Sequence, residues 1–232
     1  MRIAKVLEIQ ELKVNQKRVS RLMRLMGLCP KGTNYKYKKY NQQNKHEEHP
    51  NLLNRIFKAN AKNKIWAGDI TYIPTKKRTL YLAVFIDVYS RRVVGWSMDT
   101  KMKDQLVIAA FNQAYGKEHP ESGLIVHTDQ GSQFTSGNFQ MLLKSKKAIH
   151  SESRKGNSYD NALMESFYRT IKRELIRDAH YETPKETQKE VFKYIELYYN
   201  TKRMHSSLGY ISPTQFEEQN SHNSLNFVST KA

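Results

Sequence analysis

The sequence predicts an α/β domain built on a mixed β-sheet and preceded by a short basic helical segment. Three observations predict this fold class. From residue 64 onward, segments rich in aromatic and β-branched residues have the patterns of β-strands. Short turns separate the first three segments, which favours an antiparallel meander. Helical patterns separate the later ones, which favours parallel strands joined by crossover helices.

The elements of this domain are expected in the order βββαβαβαα. Thr79–Tyr89 is almost continuously apolar, so we expect it in the centre of the sheet. Thr183-Pro184-Lys185-Glu186 has the capping-box pattern, with proline at the first helical position. The expected strands are Ile65–Ile73, Thr79–Tyr89, Val93–Met98, Gly123–His127 and Ala148–His150, and the expected helices are Asp104–Tyr115, Gly137–Ser145, Asn161–Ile176 and Pro184–Asn200.

A basic amphipathic helix is predicted near the N-terminus, where Asn15 is suited to cap it and Gly27 to end it. Such a helix suits docking on phosphates or in a groove, although a solvated basic face is an equal alternative. Its apolar stripe is Val19, Leu22, Met23 and Met26, and its basic stripe is Lys17, Arg18, Arg21 and Arg24.

Residues 29–60 are expected to form a basic linker. Tyr35, Tyr37 and Tyr40 stand among lysines and could stack on bases. His46 and His49 resemble half of a zinc site, but no cysteine pair follows, and a polar loop is the favoured interpretation.

Charge indicates the partner. The chain has 39 Lys and Arg against 22 Asp and Glu, a net charge of +17, of which residues 1–68 carry +12. This asymmetry suggests a nucleic-acid-binding arm joined to a more neutral domain. The single cysteine excludes an intramolecular disulfide and a multi-thiolate zinc site. With no membrane span or signal peptide apparent, we expect a cytoplasmic protein.

Three acidic residues are candidates for chemistry. Asp69 lies in the middle of a strand, Asp129 ends a strand, and Glu165 lies in the first turns of a helix. Clustered carboxylates repel unless a cation neutralises them, and their oxygens suit Mg²⁺ or Mn²⁺. Asp87 also ends a buried strand, and geometry read from the sequence cannot rank it below Asp69.

Several motifs, in order, closely resemble the DDE transposases of the IS-three (IS3) group of insertion sequences, in the retroviral-integrase superfamily. The spacings also match, with 35 residues between Asp129 and Glu165 and Lys172 seven residues after Glu165. The motifs are Trp66-x-x-Asp69-Ile70-Thr71-Tyr72, His127-Thr128-Asp129-Gln130-Gly131-Ser132-Gln133-Phe134, Gly156-Asn157-Ser158-Tyr159-Asp160-Asn161-Ala162-x-x-Glu165-Ser166-Phe167, and a C-terminal signature from Tyr198 to Pro213.

The resemblance implies an RNase H-like fold with a mixed five-stranded sheet and flanking helices, preceded by a partial helix-turn-helix segment and a linker. It implies that Asp69, Asp129 and Glu165 hold two Mg²⁺ ions, with Mn²⁺ as a substitute. A water would nick the transposon end, and the freed 3′-OH would attack a target strand without any nucleotide cofactor. Asp87 matches none of the family's catalytic motifs.

The resemblance also implies contacts and partners. Lys172 would hold end DNA, and His127 would have a supporting or structural role rather than bind metal. Arg154, Lys155 and Asn157 are further candidate DNA contacts, with a flexible polar loop as the alternative. The partners would be double-stranded DNA, as transposon ends and target, and further copies of the chain assembled on it. The expected location is the bacterial cytoplasm, on the nucleoid when DNA is bound, with no membrane partner.

The expected domains are residues 1–28, 29–60 and 61–217, followed by a tail of residues 218–232 that matches no motif and is open to disorder. The first helices supply less than the family's helix-turn-helix segment, and Glu152 stands where the family usually has an apolar residue. A truncated, non-catalytic DNA-binding fragment that regulates transposition is therefore the alternative function. An RNase H-type nuclease is a weaker one, against which the C-terminal signature speaks.

Overall fold

The computed structural model of this 232-residue chain describes residues 2–28, 49–155, 157–177, 179 and 181–229, with the backbone alone at 158 and 222–229. Tyr35, Tyr37, Tyr40 and His46 of the expected linker lie outside these residues.

The described domain is a five-stranded sheet in the order β3-β2-β1-β4-β5. Strands β1, β2 and β3 pair antiparallel, and β4 pairs parallel with both β1 and β5. The sequence prediction of a mixed sheet is therefore confirmed. The strands are β1 (Ile65–Ile73), β2 (Leu80–Asp87), β3 (Val93–Asp99), β4 (Ile125–Thr128) and β5 (Ile149–Glu152).

Helices cover both faces of the sheet. Apolar residues along β1 alternate between two cores, with Ala67 in one and Trp66 in the other, because successive strand residues point to opposite faces. Asp69 follows Ala67 by two residues, so it faces the same side as Ala67. The helices are α1 (Arg2–Ile9), α2 (Gln16–Leu25), α3 (Asp104–Glu118), α4 (Gly137–Ser145), α5 (Ala162–Ile171), α6 (Pro184–Phe192) and α7 (Pro213–Ser229).

Two of the expected helices change their hydrogen bonding partway. The helix expected at Asn161–Ile176 begins with a 3₁₀ turn, Ser158–Asn161, and ends in a π-helical segment, Lys172–Ile176. The helix expected at Pro184–Asn200 continues beyond α6 as a second π-helical segment, Lys193–Tyr199. Asn200 then fixes this end to the sheet, because its side chain bonds both the N–H and the carbonyl of Val93 at 2.9 and 3.0 Å.

Helix α2 begins after Asn15 and ends before Gly27, as the sequence predicted, and the short helix α1 precedes it. The Asn15 side chain accepts a hydrogen bond from the Arg18 N–H at 2.8 Å, which confirms the predicted cap. Of the predicted apolar stripe only Val19 is buried, while Leu22 and Met26 are exposed. Arg2 links α1 to the π-helical segment Lys172–Ile176 through a 3.3 Å ion pair with Glu174.

Helix α7 extends from Pro213 through Ser229 and so includes residues of the expected tail. The Ser212 hydroxyl accepts from the Gln215 N–H at 3.3 Å and caps α7. Glu217 lies 3.4 Å from Arg92, which also pairs with Glu118. Phe216 of α7 also packs against Tyr89, with the ring centroids 5.1 Å apart. Within the described residues, no helix is long and apolar enough to cross a membrane.

Candidate active site

The strand register brings two of the candidate acids together. Strands β1 and β4 run parallel, and Ala67 pairs with His127. Asp69 lies two residues after Ala67, and Asp129 lies two residues after His127. The parallel register therefore places the two aspartates side by side at the centre of the sheet. Asp69 and Asp129 interact electrostatically, and each lies in a poorly solvated environment.

Asp69 is held by hydrogen bonds from two directions. Its Oδ1 accepts from the Ile70 N–H at 2.6 Å, and its Oδ2 accepts from Asn161 Nδ2 at 2.9 Å. The buried Tyr168 hydroxyl donates to the Asp69 carbonyl, so α5 is fixed against β1 at this residue. Burial raises the pKa of the Asp69 carboxyl well above its usual range, and the charges of Asp129 and then Glu165 raise it further.

Asp129 is oriented by the loop that follows β4. Its Oδ1 accepts from the Gly131 N–H at 3.0 Å. A β-carbon on Gly131 would lie 2.9 Å from the same oxygen, which is closer than side chains tolerate, so glycine leaves room for the carboxylate. Burial raises the pKa of Asp129, and the nearby Glu152 carboxylate adds to this.

Glu165 comes from the first turns of α5, on the side of the helix next to Asp69. Burial raises the pKa of Glu165, while Arg169, one turn further on, opposes this rise. The apolar face of the same helix packs onto the sheet through Phe167 and Ile171, as the sequence predicted. Packing of that face fixes the position of α5 on the sheet, and with it the position of Glu165.

The donor set fits a hard divalent cation. Three carboxylates supply only oxygen ligands, and a cation would offset the cost of bringing their charges together. Asn161 Oδ1, beside Asp69, is a buried oxygen without a hydrogen-bond partner within the described residues. The carboxylate oxygens of the three acids nevertheless do not all lie within 4.8 Å of one another. Among the described residues, the group whose ligand atoms lie within 4.8 Å of one another is His49, His150 and Glu152.

The structure separates Asp87 from this site. Asp87 pairs with Trp66, whereas Asp69 pairs with Val84, three residues away along β2. The Asp87 carboxylate accepts from the N–H groups of Asn63, Tyr89 and Ser90 at 2.6, 2.8 and 2.9 Å. These bonds make it the anchor of the turn after β2, a distinction that required the strand register.

Lys172 lies close to the acids. Its ammonium stands 4.8 Å from the centre of the Tyr72 ring, on which it makes a cation–π contact. Tyr72 is 57% exposed, so the pair faces solvent at the end of β1. Partial burial lowers the pKa of Lys172, and the Asp69 carboxylate opposes this.

The loop before α5 is organised by Asp160, a residue to which the sequence analysis gave no role. Arg154 donates to its carboxylate through Nε at 2.7 Å and Nη2 at 3.0 Å. Arg55 Nε and Asn51 Nδ2 donate to the same carboxylate at 3.1 and 2.9 Å. Asp160 therefore joins this loop to the segment before β1, and these donors hold the pKa of Asp160 well below its usual range.

The other sequence candidates lie in different settings. His127 is buried and bonds the Asp160 carbonyl and the Ser151 hydroxyl, at 2.8 and 2.9 Å, which agrees with a structural role. Lys155 is exposed and Asn157 half-buried in the loop that Asp160 organises. Arg18, Arg21 and Arg24 are exposed on α2, which is distant in sequence from the three acids.

Three contributors had no assigned role before the structure: Asn161, Gly131 and Asp160. All three lie within the motifs that resemble the transposase family, so the sequence indicated their positions but not their roles. Their roles depend on which atom bonds which carboxylate, and only the packing of α5 and the β4 loop provides that.

Known proteins resemble the chain over most of its length. A family model described as "Integrase core domain" matches residues 59–158, and a second one of the same description matches residues 165–220. The "Transposase for insertion sequence element IS904" of Lactococcus lactis is 62% identical over 221 residues, covering 95% of this chain and 87% of the relative.

A second relative and two solved structures extend the comparison. The "Transposase InsF for insertion sequence IS3A" of Escherichia coli is 45% identical over 73% of this chain and 59% of its own length. The HTLV-2 integrase catalytic core domain, solved in complex with magnesium, gives a TM-score of 0.51 at 24% identity and covers 67% of this chain and 96% of that one. The BIV integrase core gives 0.52 at 19% identity, covering 70% of this chain and 99% of that one. These two structures show a shared RNase H-like fold.

Proposed function

Because this chain belongs to the IS3-group transposases, DDE polynucleotidyl transferases of the integrase superfamily, we propose that it nicks transposon-end DNA and joins the freed end to target DNA. The observation that carries this proposal is the side-by-side position of Asp69 and Asp129 in the parallel register of β1 and β4, with Glu165 of α5 close enough to Asp69 for its charge to raise the pKa of Asp69.

The three acids would hold two divalent cations, which we take to be Mg²⁺ with Mn²⁺ as a substitute. Bound there, such ions supply activation of an attacking oxygen and stabilisation of a leaving one in phosphodiester chemistry. Asn161 and the Ile70 N–H orient the Asp69 carboxylate, and the Gly131 N–H orients that of Asp129.

Two displacements at phosphorus follow from this assignment. In the first, a water oxygen bonds to the phosphorus at the transposon end, and the P–O3′ bond breaks to leave a 3′-OH. In the second, this 3′-OH bonds to a target phosphorus and displaces a target 3′ oxygen. The number of phosphodiester bonds is unchanged in the second step, so no nucleotide is consumed.

Basic side chains around the acids would hold the DNA. Lys172 lies on the solvent side of Asp69, where its ammonium can meet a phosphate of the transposon end. Lys155 and Asn157 would contact the same strand. Arg154 would contact it through the outer edge of a guanidinium whose other edge holds Asp160. Arg18, Arg21 and Arg24 would bind duplex phosphates further away.

The working assembly would be several copies of the chain on double-stranded DNA, because two transposon ends have to meet one target. We place it in the bacterial cytoplasm, on the nucleoid when DNA is bound. The excess of +12 in residues 1–68 supports duplex binding by the N-terminal arm.

The test is cation-dependent nicking of a labelled transposon-end duplex. We expect nicking by the purified chain with Mg²⁺ or Mn²⁺ and a loss of at least about 10³-fold in the Asp129→Asn variant, in line with losing an essential electrostatic group. Asp99→Asn, which changes an exposed aspartate at the end of β3, is the matched control. Undiminished nicking by Asp129→Asn would remove Asp129 from the proposed site.

A further inference from the structure

A second group of metal-ligating side chains lies beside the three acids and is not part of them. It consists of His49 from the segment before β1, His150 from β5 and Glu152 from the end of β5. One nitrogen or oxygen from each residue lies within 4.8 Å of the others. The two imidazole rings are 4.6 Å apart between centroids, and the His150 Nδ1 is 3.6 Å from Glu152 Oε1.

The hydrogen bonds around His150 assign its tautomer. The Thr128 hydroxyl donates to the Asp129 carbonyl at 2.9 Å, so it has to accept from His150 Nε2–H, also at 2.9 Å. On the other side, Gln140 Nε2 donates one hydrogen to the Phe134 carbonyl at 2.7 Å and faces His150 Nδ1 at 2.9 Å. The lone pair of His150 is therefore on Nδ1.

In this tautomer the basic nitrogen Nδ1 accepts from Gln140 and lies 3.6 Å from a Glu152 carboxylate oxygen. His150 is 7% exposed and Glu152 1% exposed, so little solvent separates Nδ1 from the Glu152 oxygen. Two metal-ligating atoms of different residues, an imidazole nitrogen and a carboxylate oxygen, therefore lie 3.6 Å apart in a buried position, where a cation can bind both. The Nε2–H bond to Thr128 is also the kind of contact that fixes the orientation of a metal-binding histidine.

We propose that His49, His150 and Glu152 form a binding site for a first-row transition-metal dication of the Zn²⁺ type. Two imidazoles and one carboxylate are an established ligand set for Zn²⁺, which leaves a fourth position open. With Zn–N and Zn–O bonds of about 2.0–2.2 Å, neighbouring tetrahedral ligands stand roughly 3.3–3.5 Å apart. The observed 3.6 Å between His150 and Glu152 needs only a small inward shift, and the His49 ligand atom, which lies within 4.8 Å of the other two, would move in by at most about 1.5 Å.

Binding at this site would require one local change. Gln140 would give up its second N–H bond, to Nδ1, and keep the bond to the Phe134 carbonyl. The metal would then fasten residues 49–55 to β5, next to the strand end that carries Asp129. The fourth position would open into the pocket that Gln130, Arg154 and Lys155 also line.

The ligand type separates this site from the triad of Asp69, Asp129 and Glu165. Imidazole nitrogens favour Zn²⁺ over Mg²⁺, whereas a set of carboxylates alone favours Mg²⁺. The inference does not rest on the proposed transposition chemistry, since it requires only metal binding to the folded chain.

The experiment is titration of the full chain with Zn²⁺ in the presence of excess Mg²⁺, followed by calorimetry and by thermal unfolding. We expect one Zn²⁺ per chain and a rise in Tm on binding. His49→Gln and Glu152→Gln should each weaken binding by at least about 100-fold, because losing an outer hydrogen-bond partner alone costs 10–100-fold. Titration with Co²⁺ should give visible absorption bands that both variants lose.

Two control variants locate the site. His119→Asn removes an exposed histidine outside the group, and Asp69→Asn alters the triad, so both should leave Zn²⁺ affinity unchanged. Unchanged affinity in His49→Gln and Glu152→Gln would overturn the proposal. So would loss of Zn²⁺ binding in Asp69→Asn, which would place the ion on the triad. Nicking of end DNA is a separate readout, so failure of the proposed function leaves this result interpretable.

Discussion

At the scale of single residues, the two central acids are placed at an energetic disadvantage. Asp69 and Asp129 lie side by side in poorly solvated positions, and burial raises the pKa of each. Few backbone groups compensate, since the Ile70 and Gly131 N–H groups donate one bond each. Such an arrangement is costly for the fold without a cation and is suited to binding one.

The sign of this cost gives the first prediction. Because the pKa of Asp69 is raised in the folded state, folding favours the protonated form, and stability falls as the pH rises through that pKa. In the absence of divalent cations at neutral pH, Asp69→Asn should therefore raise Tm by roughly 2–4 °C, which corresponds to about 1 kcal/mol in a domain of this size. The gain should shrink as the pH is lowered.

Thermal unfolding with and without Mg²⁺ measures this effect. The natural chain should gain stability on Mg²⁺ addition, and Asp69→Asn should gain much less while losing nicking activity. Asp99→Asn, on the exposed end of β3, is the control for a change of one charge. A lower Tm of Asp69→Asn in the absence of cations would contradict the argument.

Gly131 gives the second prediction. An added β-carbon would meet Asp129 Oδ1 at 2.9 Å, so Gly131→Ala should displace the carboxylate rather than unfold the chain. We expect nicking to fall by at least about tenfold, equivalent to about 1.4 kcal/mol at the transition state, with little change in Tm.

Gly137→Ala is the matched control for this variant, because a β-carbon there has no neighbour within 4 Å. It should retain activity and be slightly more stable, since alanine is the better helix former. Equal activities of the two variants would show that the position of Asp129 tolerates the clash.

Residue identities and motif spacing were sufficient to nominate Asp69, Asp129 and Glu165, but not to explain how they are held. Asn161 supports Asp69 because the start of α5 packs over β1, a contact across 92 residues of chain. Without the family resemblance, Asp87 could not be ranked below Asp69 from the sequence, whereas the pairing of β1 with β2 places it three residues away from Asp69's partner. Contacts distant in sequence leave no local pattern.

At the scale of secondary structure, the sequence predicted those strands, helices and caps that depend on residues close together in the chain. Strand β1 and helix α4 have the predicted boundaries, and Asn15 caps α2 as expected. The π-helical segments at Lys172–Ile176 and Lys193–Tyr199 were not predicted, because an apolar stripe does not distinguish i→i+4 from i→i+5 bonding. The polar helix α7 also lacked the stripe on which a prediction depends.

The loop between β5 and α5 gives the third prediction, since a single carboxylate organises it. The Asp160 side chain is fully buried and accepts from Arg154, Arg55 and Asn51. Asp160→Asn should lower the free energy of unfolding by about 1–3 kcal/mol, the cost of leaving buried polar groups poorly paired. Activity should fall as well, because this loop leads into the helix that carries Glu165.

Urea unfolding of Asp160→Asn and of the control Glu121→Gln tests this. Glu121 is exposed, and its ion pair among the described residues is with Lys64 at the surface, a contact worth little. The pKa of Asp160 is lowered by its partners, so its contribution should be present above the ordinary pKa of about 3.9 and disappear as the pH falls. Equal stability of the two variants would mean that the loop does not depend on Asp160.

At the scale of the whole molecule, the proposed DNA binding would depend on the fold for the acids and on the basic N-terminal residues for phosphate contacts. The sheet and its helices hold the acids, while residues 1–68 carry +12 of the net +17. Arg18, Arg21 and Arg24 are exposed on α2, so they are available to phosphates. Phosphate contacts release counterions, and each contact adds about −0.9 to the slope of log K against log salt.

The last prediction follows from that slope. Changing Arg18, Arg21 and Arg24 together to alanine should weaken duplex binding and reduce the magnitude of the salt slope by roughly 2–3, because up to three phosphate contacts are lost. Changing the exposed Lys185, Lys189 and Lys202 to alanine removes the same charge from the opposite part of the chain. If charge alone governs binding, both triple variants should shift the slope equally. A larger change in the arginine variant, measured by duplex titration over a range of salt, would locate the phosphate contacts on α2.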